Sequence, residues 1–158
     1  MKLRTILPAA ALCVALGSTA QAADYVSIVQ ETSVNAPADV TWKKVGGYCD
    51  IGAWMKTTCA LTAGTGDVGT IRKIAGRIDE VIVAKTAWSY TYADHSLPIF
   101  YHGTVEVRPV SKKTSKIVYS LFYDQEPIKA EERVANKERR TKMFGGVLQT
   151  MKGIAEAK

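Results

Sequence analysis

The sequence predicts an α+β domain in which a curved, seven-stranded antiparallel sheet is crossed on its concave side by a long C-terminal helix. Three observations carry that expectation. Six segments of strand character follow one another from about residue 57 to residue 124, joined by turns too short for anything but antiparallel neighbours. A further strand and two brief helical patterns precede them. The last thirty residues then abandon alternation for helical spacing.

Ahead of the domain, Lys2 and Arg4 introduce an apolar run from Ile6 to Leu16 that ends in the small residues around Ala20 and Ala22. This is the pattern of a secretory signal peptide cleaved after Ala22. Nothing later approaches the roughly 20 apolar residues of a membrane helix. A soluble, exported protein is expected, periplasmic by its small size and compact leader. Cleavage leaves 136 of the 158 residues as a single domain, residues 23–158, and lowers the formal charge from +6 to +4. That basic excess is too diffuse for a nucleic-acid partner and leaves acidic protein partners open.

The first strand is Tyr25 to Val34, with Val26, Ile28, Gln30 and Thr32 on one face. Asn35 is a possible cap and Pro37 suits a first helical turn; Val40, Trp42 and Val45 follow before Gly46 and Gly47 end the helix. A second short helix spans about Asp50 to Met55. The six later strands fall near 57–63, 68–74, 78–84, 87–95, 101–109 and 116–124, divided by Gly64–Gly66, Ala75–Gly76, Lys85–Thr86, Ser96–Pro98 and Ser111–Thr114. Met143, Phe144, Val147, Leu148, Met151, Ile154 and Ala155 mark the closing amphipathic helix. Gly145 and Gly146 inside it suggest a bend or a close approach to the sheet. Of the cysteines, Cys49 and Cys59 remain after cleavage, and in an exported chain a bridge between them is expected over two free thiols.

The stretches "PADVTWKKVGGYCDIGAW" (37–54), "GTGDVGTIR" (64–72), "IDEVIV" (78–83), "WSYTYADHSLPIFYHGTVEVRP" (88–109) and "KIVYSLFY" (116–123) resemble, in that order, the START/Bet v 1-like (SRPBCC) superfamily, and within it the bacterial polyketide cyclase/dehydrase branch. The resemblance implies the helix-grip fold: sheet and final helix enclosing a cavity that takes a small hydrophobic or aromatic molecule. It rests on the order of segments, since no single motif is diagnostic.

A turn centred on Gly76 sets Arg72 opposite Glu80 on the face shared by Ile74, Ile78 and Ile82. Two charges on a core face make sense if that face lines a hollow. The competing reading puts the pair on the solvated face, with Ile71, Val81 and Val83 buried instead. Taken inward, Arg72, Glu80, Trp88, Tyr90, Tyr92, Tyr101, His102 and Tyr119 are the ligand-binding candidates. No catalytic residue is assigned.

Other signals carry less. "GTGDVG" (64–69) matches the dinucleotide fingerprint in letters, but "TIRKI" continues as a strand where that motif must open a helix, so no cofactor is expected. His95 and His102, the only histidines, have no zinc-site spacing, and no metal is expected. Lys137, Arg139, Arg140 and Lys142 read as a solvated helix face or as a surface for an acidic partner.

Three functions compete. The leading one is a monomeric, exported carrier or binder of a small hydrophobic or aromatic molecule. The second, from a likeness in size, leader and charge to the MxaD-like periplasmic accessory proteins, is assistance to methanol dehydrogenase and its acidic cytochrome c. The third is cyclisation or dehydration of a bound polyketide, which fold alone does not establish.

Overall fold

The computed structural model describes residues 23–158; the expected leader, residues 1–22, and its cleavage site lie outside the described residues. Strand β1 (Tyr25–Val34) is followed by helices α1 (Ala38–Val45) and α2 (Ile51–Trp54). Strands β2 (Cys59–Ala63), β3 (Ile71–Ile74), β4 (Ile78–Thr86), β5 (Ser89–Asp94), β6 (Tyr101–Pro109) and β7 (Ser115–Asp124) come next. A 24-residue helix, α3 (Arg133–Glu156), closes the chain. All seven strands form one antiparallel sheet in the order β1-β7-β6-β5-β4-β3-β2. This is the helix-grip architecture the sequence predicts.

Alternation decides which side chains enter the core. On β6, Tyr101, Gly103, Val105 and Val107 are buried while His102, Thr104 and Glu106 are half-exposed. The stripe Phe144, Val147, Leu148, Met151 and Ala155 of α3 packs into the same core, completing a helix-on-sheet layer. α3 passes beside β1 at Gly145, where an added methyl group would meet the Gln30 amide at 3.5 Å in ordinary contact, and α3 stays helical through both glycines.

Two local expectations change. Asn35 does not cap α1: Pro37 occupies the cap position, no side chain caps it, and the Asn35 backbone N–H donates to the Glu156 carboxylate 2.8 Å away at the end of α3. Strand β3 begins at Ile71 and not near residue 68, because Gly64, Gly66 and Gly69 all take positive φ and prolong the preceding loop. The Cys49–Cys59 disulfide is present, with Cα atoms 5.4 Å apart, and ties the start of α2 to the edge strand β2.

Candidate functional site

The turn at Ala75 and Gly76, both at positive φ, folds β3 back on β4 so that Arg72 lies directly across from Glu80. Both point inward: Arg72 is 0% exposed and Glu80 5%. The solvated-face reading is thereby excluded, and Val83 is the one of its proposed core residues that is 44% exposed. Arg72 donates to one Glu80 oxygen from Nε at 2.8 Å and from a terminal nitrogen at 2.6 Å, and to the Tyr48 carbonyl at 2.5 Å from the other nitrogen. Its guanidinium also lies over the Tyr48 ring at 4.2 Å and the Tyr92 ring at 4.8 Å. All three guanidinium nitrogens thus donate inside the protein.

Burial pushes the Glu80 carboxyl above its ordinary range, and the Arg72 guanidinium opposes this without cancelling it. For Arg72, burial disfavours the charge, but Tyr90 and Glu80 more than offset it and the guanidinium stays protonated. Arg72 does not line a hollow as expected; it fills the centre of one, with the rings of Tyr48, Tyr90 and Tyr92 about it. The hydroxyls of Tyr92 and Tyr119 hydrogen-bond at 2.7 Å, and the Tyr92 ring lies so close to Gly103 that a Cβ there would come within 2.3 Å of it. Glycine at 103 is what lets the ring lie across β6.

Above Arg72 a mouth cavity of about 170 Å³ opens between the sheet, α2 and α3, and Asp94, Leu97 and Tyr101 in its wall also border a more open hollow of about 350 Å³ that His95, Phe100 and His102 line. The walls of the mouth are apolar: Met55, Ile74, Ile78, Leu97, Met143 and Phe144. Its polar atoms come from Glu80, Tyr92, Asp94, Tyr101, Tyr119 and Arg140. Asp94 is 5% exposed and accepts from the backbone N–H and hydroxyl of Ser96 at 2.9 and 2.5 Å. Arg140 lies over the rings of Tyr101 and Tyr123 at 5.1 and 4.8 Å, closing one side of the mouth.

Of the eight candidates, Glu80, Tyr92, Tyr101 and Tyr119 meet in this cavity, above Arg72. Three fall elsewhere. Trp88 is in the β4–β5 turn, 36% exposed, because β5 starts only at Ser89. His102 follows inward-facing Tyr101 and so must face outward, where its ring packs on Phe100 at 4.5 Å. Tyr90 is buried but lines a different hollow. Asp94 and Arg140 were missed as site residues, although both carried a signal: Asp94 has the inward parity of Tyr90 and Tyr92, and Arg140 precedes Phe144 by four on the buried stripe. The acidic-partner surface loses Arg140 for the same reason, and among the described residues no cluster of His, Cys, Asp and Glu could hold a metal.

The sequence profile described as polyketide cyclase / dehydrase and lipid transport matches residues 25–156. No curated protein sequence matches the chain significantly. Among solved structures, the ZhuI aromatase/cyclase of Streptomyces sp. R1128 is similar with a TM-score of 0.68 at 13% identity, over 83% of this chain and 93% of that one. The XoxI protein of Bacillus cereus gives 0.65 at 18%, over 80% and 93%. A norcoclaurine synthase point mutant from Thalictrum flavum, in complex with a transition-state analogue, gives 0.61 at 19%, over 85% and 96%. Likeness at these identities carries the fold and leaves the chemistry to the site.

Proposed function

Because the chain belongs to the polyketide cyclase / dehydrase and lipid transport family, we propose that it binds a small, largely apolar molecule in the mouth cavity, without transforming it. The observation that carries this reading is the cavity itself: apolar walls, a few convergent polar atoms and about 170 Å³ of space. An apolar cavity of about 150 Å³ accepts benzene, so the occupant is the size of one substituted aromatic ring. Pockets for drug-sized ligands start at about 300 Å³, more than the mouth cavity alone provides. Of the two carboxylates lining the cavity, Glu80 already accepts two hydrogen bonds from Arg72 and Asp94 accepts two from Ser96, which supports holding over proton transfer. The disulfide supports export, and with it a periplasmic carrier or sensor role.

Titration of the protein with phenol and with 1-naphthol, followed by amide shifts, tests the reading. Phenol should bind saturably with shifts at Ile78, Met143 and Phe144, and 1-naphthol at least tenfold more weakly. Met143→Trp, at a position 43% exposed, should fill the mouth and abolish binding without unfolding the protein. Tighter binding of 1-naphthol, or binding unchanged in the variant, would remove the mouth as the site.

One observation favours the accessory-protein reading. Tyr25, Phe100 and Phe122 form an exposed aromatic cluster on the outer sheet face, with Tyr25 stacked on Phe122 at 4.7 Å. Aromatic patches of this kind occur at protein interfaces. Co-elution with a quinoprotein dehydrogenase or a cytochrome c from the same periplasm, lost in Phe122→Glu, would support it; absence of any complex at low salt would exclude it.

A further inference from the structure

Among the described residues the buried side chains of formal charge are Arg72, Glu80 and Asp94. Arg72 and Glu80 neutralise each other at 2.6 Å. Asp94, at the end of β5, is buried to the same degree as Glu80, and among the described residues no cation lies within 4.0 Å of its carboxylate. A buried charge is costly unless it is paired, so this one stands out as lacking its counter-charge.

The geometry of the carboxylate says where that counter-charge belongs. Ser96 donates twice, from its backbone N–H and its hydroxyl, and both bonds go to Oδ1. Oδ2 accepts from no described residue, and it is not sealed in as the hydroxyls of Tyr90 and Tyr123 are. The space it opens on is the boundary where the mouth meets the outer hollow, since Asp94 borders both. Burial first, and then the charge of Asp94, hold the Glu80 carboxyl above its ordinary range against the pull of Arg72, so the two carboxylates share one space. Arg140 lies in the same wall but is half-exposed, with its Nε donating to Asn136 at 2.8 Å and its guanidinium over the rings of Tyr101 and Tyr123.

We propose that the occupant of the mouth is a ring-bearing primary amine, bound as its ammonium ion with an N–H donating to Asp94 Oδ2, an assignment that rests on the mouth being the binding cavity. The ring lies among Ile74, Ile78, Met143 and Phe144. An ammonium carries three donors and no acceptor, which suits a carboxylate with one oxygen open. Its head stands at the boundary with the outer hollow, where water reaches the remaining N–H groups and lowers the cost of burying the charge. A ring carrying a carboxylate would be repelled by Asp94 instead.

The test compares benzylamine, protonated at pH 7, with benzyl alcohol, which has the same ring and nearly the same length but no charge. Amide shifts of the labelled protein at Ile78, Ala93, Leu97, Tyr101 and Phe144 should saturate with benzylamine roughly tenfold more tightly than with the alcohol, the lower end of what a hydrogen bond to a charged group contributes. Asp94→Asn keeps a carbonyl oxygen for Ser96 and puts an NH₂ donor in place of Oδ2, so it should bring the two compounds to within roughly twofold of each other. A carboxylate that serves only the Ser96 turn would leave the preference unchanged in that variant and overturn the assignment. The carboxyl carbon of Asp94 gives a reading that needs no variant: its resonance should move under benzylamine with the same saturation as the Phe144 amide, and a stationary resonance would overturn the assignment. Benzyl alcohol binding in the mouth as tightly as benzylamine would also overturn it, while leaving the mouth as an apolar site. Shifts with neither compound, or benzylamine binding unchanged in Met143→Trp, would remove the mouth and the assignment together.

Discussion

Substituting Arg72→Met keeps much of the side chain's length and removes its charge. The wild-type group is 0% exposed and makes two hydrogen bonds to Glu80, itself 7% exposed at the side chain, and one to the Tyr48 carbonyl. Removing one partner of a buried ion pair costs about 3–5 kcal/mol. The orphaned Tyr48 carbonyl adds about 1 kcal/mol. The total, about 5 kcal/mol, corresponds to a fall in Tm of roughly 15–20 °C for a domain of this size. The loss should also depend on pH. Glu80 already sits above its ordinary carboxylate range, and without Arg72 nothing opposes the effect of burial, so its folded pKa rises further. A carboxyl raised in the folded state contributes stability below its unfolded pKa and loses it as pH rises through the folded value. The deficit of the variant should therefore be smallest near pH 4.5 and grow toward neutrality. The double variant Arg72→Met with Glu80→Leu removes the stranded charge and should recover to within about 2 kcal/mol of wild type. Urea unfolding monitored by circular dichroism between pH 4.5 and 8 measures all three proteins. An Arg72→Met loss below about 1 kcal/mol, or a double variant no better than the single one, would refute the view that this pair is a mutually dependent core element.

Tyr48, Tyr90, Tyr92, Tyr101, Tyr119 and Tyr123 have their hydroxyls held above the ordinary value, first by burial, with Tyr90 pushed up to about 12. The sign follows directly: stability is full below the unfolded tyrosine pKa of about 10 and is lost above it. Tm should stay level up to about pH 9 and then fall, with most tyrosinate absorbance appearing together with unfolding; smooth titration of the folded protein would contradict this. Reducing the Cys49–Cys59 bridge, which closes a sequence separation of 10, should cost about 3 kcal/mol in the chain-entropy account, measured as the denaturation midpoint with and without reductant. Gly103→Ala should destabilise by about 1–3 kcal/mol, because its methyl would displace the Tyr92 ring and with it the Tyr92–Tyr119 hydrogen bond. A stability within 0.5 kcal/mol of wild type, about the scatter of a surface substitution, would show that the ring has room to move.

The features legible in the sequence were those set by neighbours along the chain. Alternation and a turn centred on Gly76 were enough to put Arg72 opposite Glu80 and both on the face of Ile74 and Ile82, and the register bears this out. The same period of two should have sent His102 outward once Tyr101 was taken as inward; the candidate set held both, and only one can face the core. Trp88 turned on a strand boundary, the least determined feature of a periodic pattern. What alternation could not supply was the depth of each side chain. That Arg72 plugs the interior depends on how Tyr48, from the segment between α1 and α2, meets β3 across the sheet. Met143, Phe144 and Arg140 reach the mouth only because α3 crosses at that angle, which no local pattern in the chain specifies.

The account's central claim is that the mouth cavity holds a molecule of one-ring size. Native mass spectrometry of the protein purified from its own host, compared with the same sample denatured, tests it most directly. The account predicts an added mass that leaves on denaturation and corresponds to a single substituted ring, absent from Met143→Trp. An apo mass under conditions that preserve other carrier complexes, or an added mass as large as a lipid or a polycyclic polyketide, would contradict it.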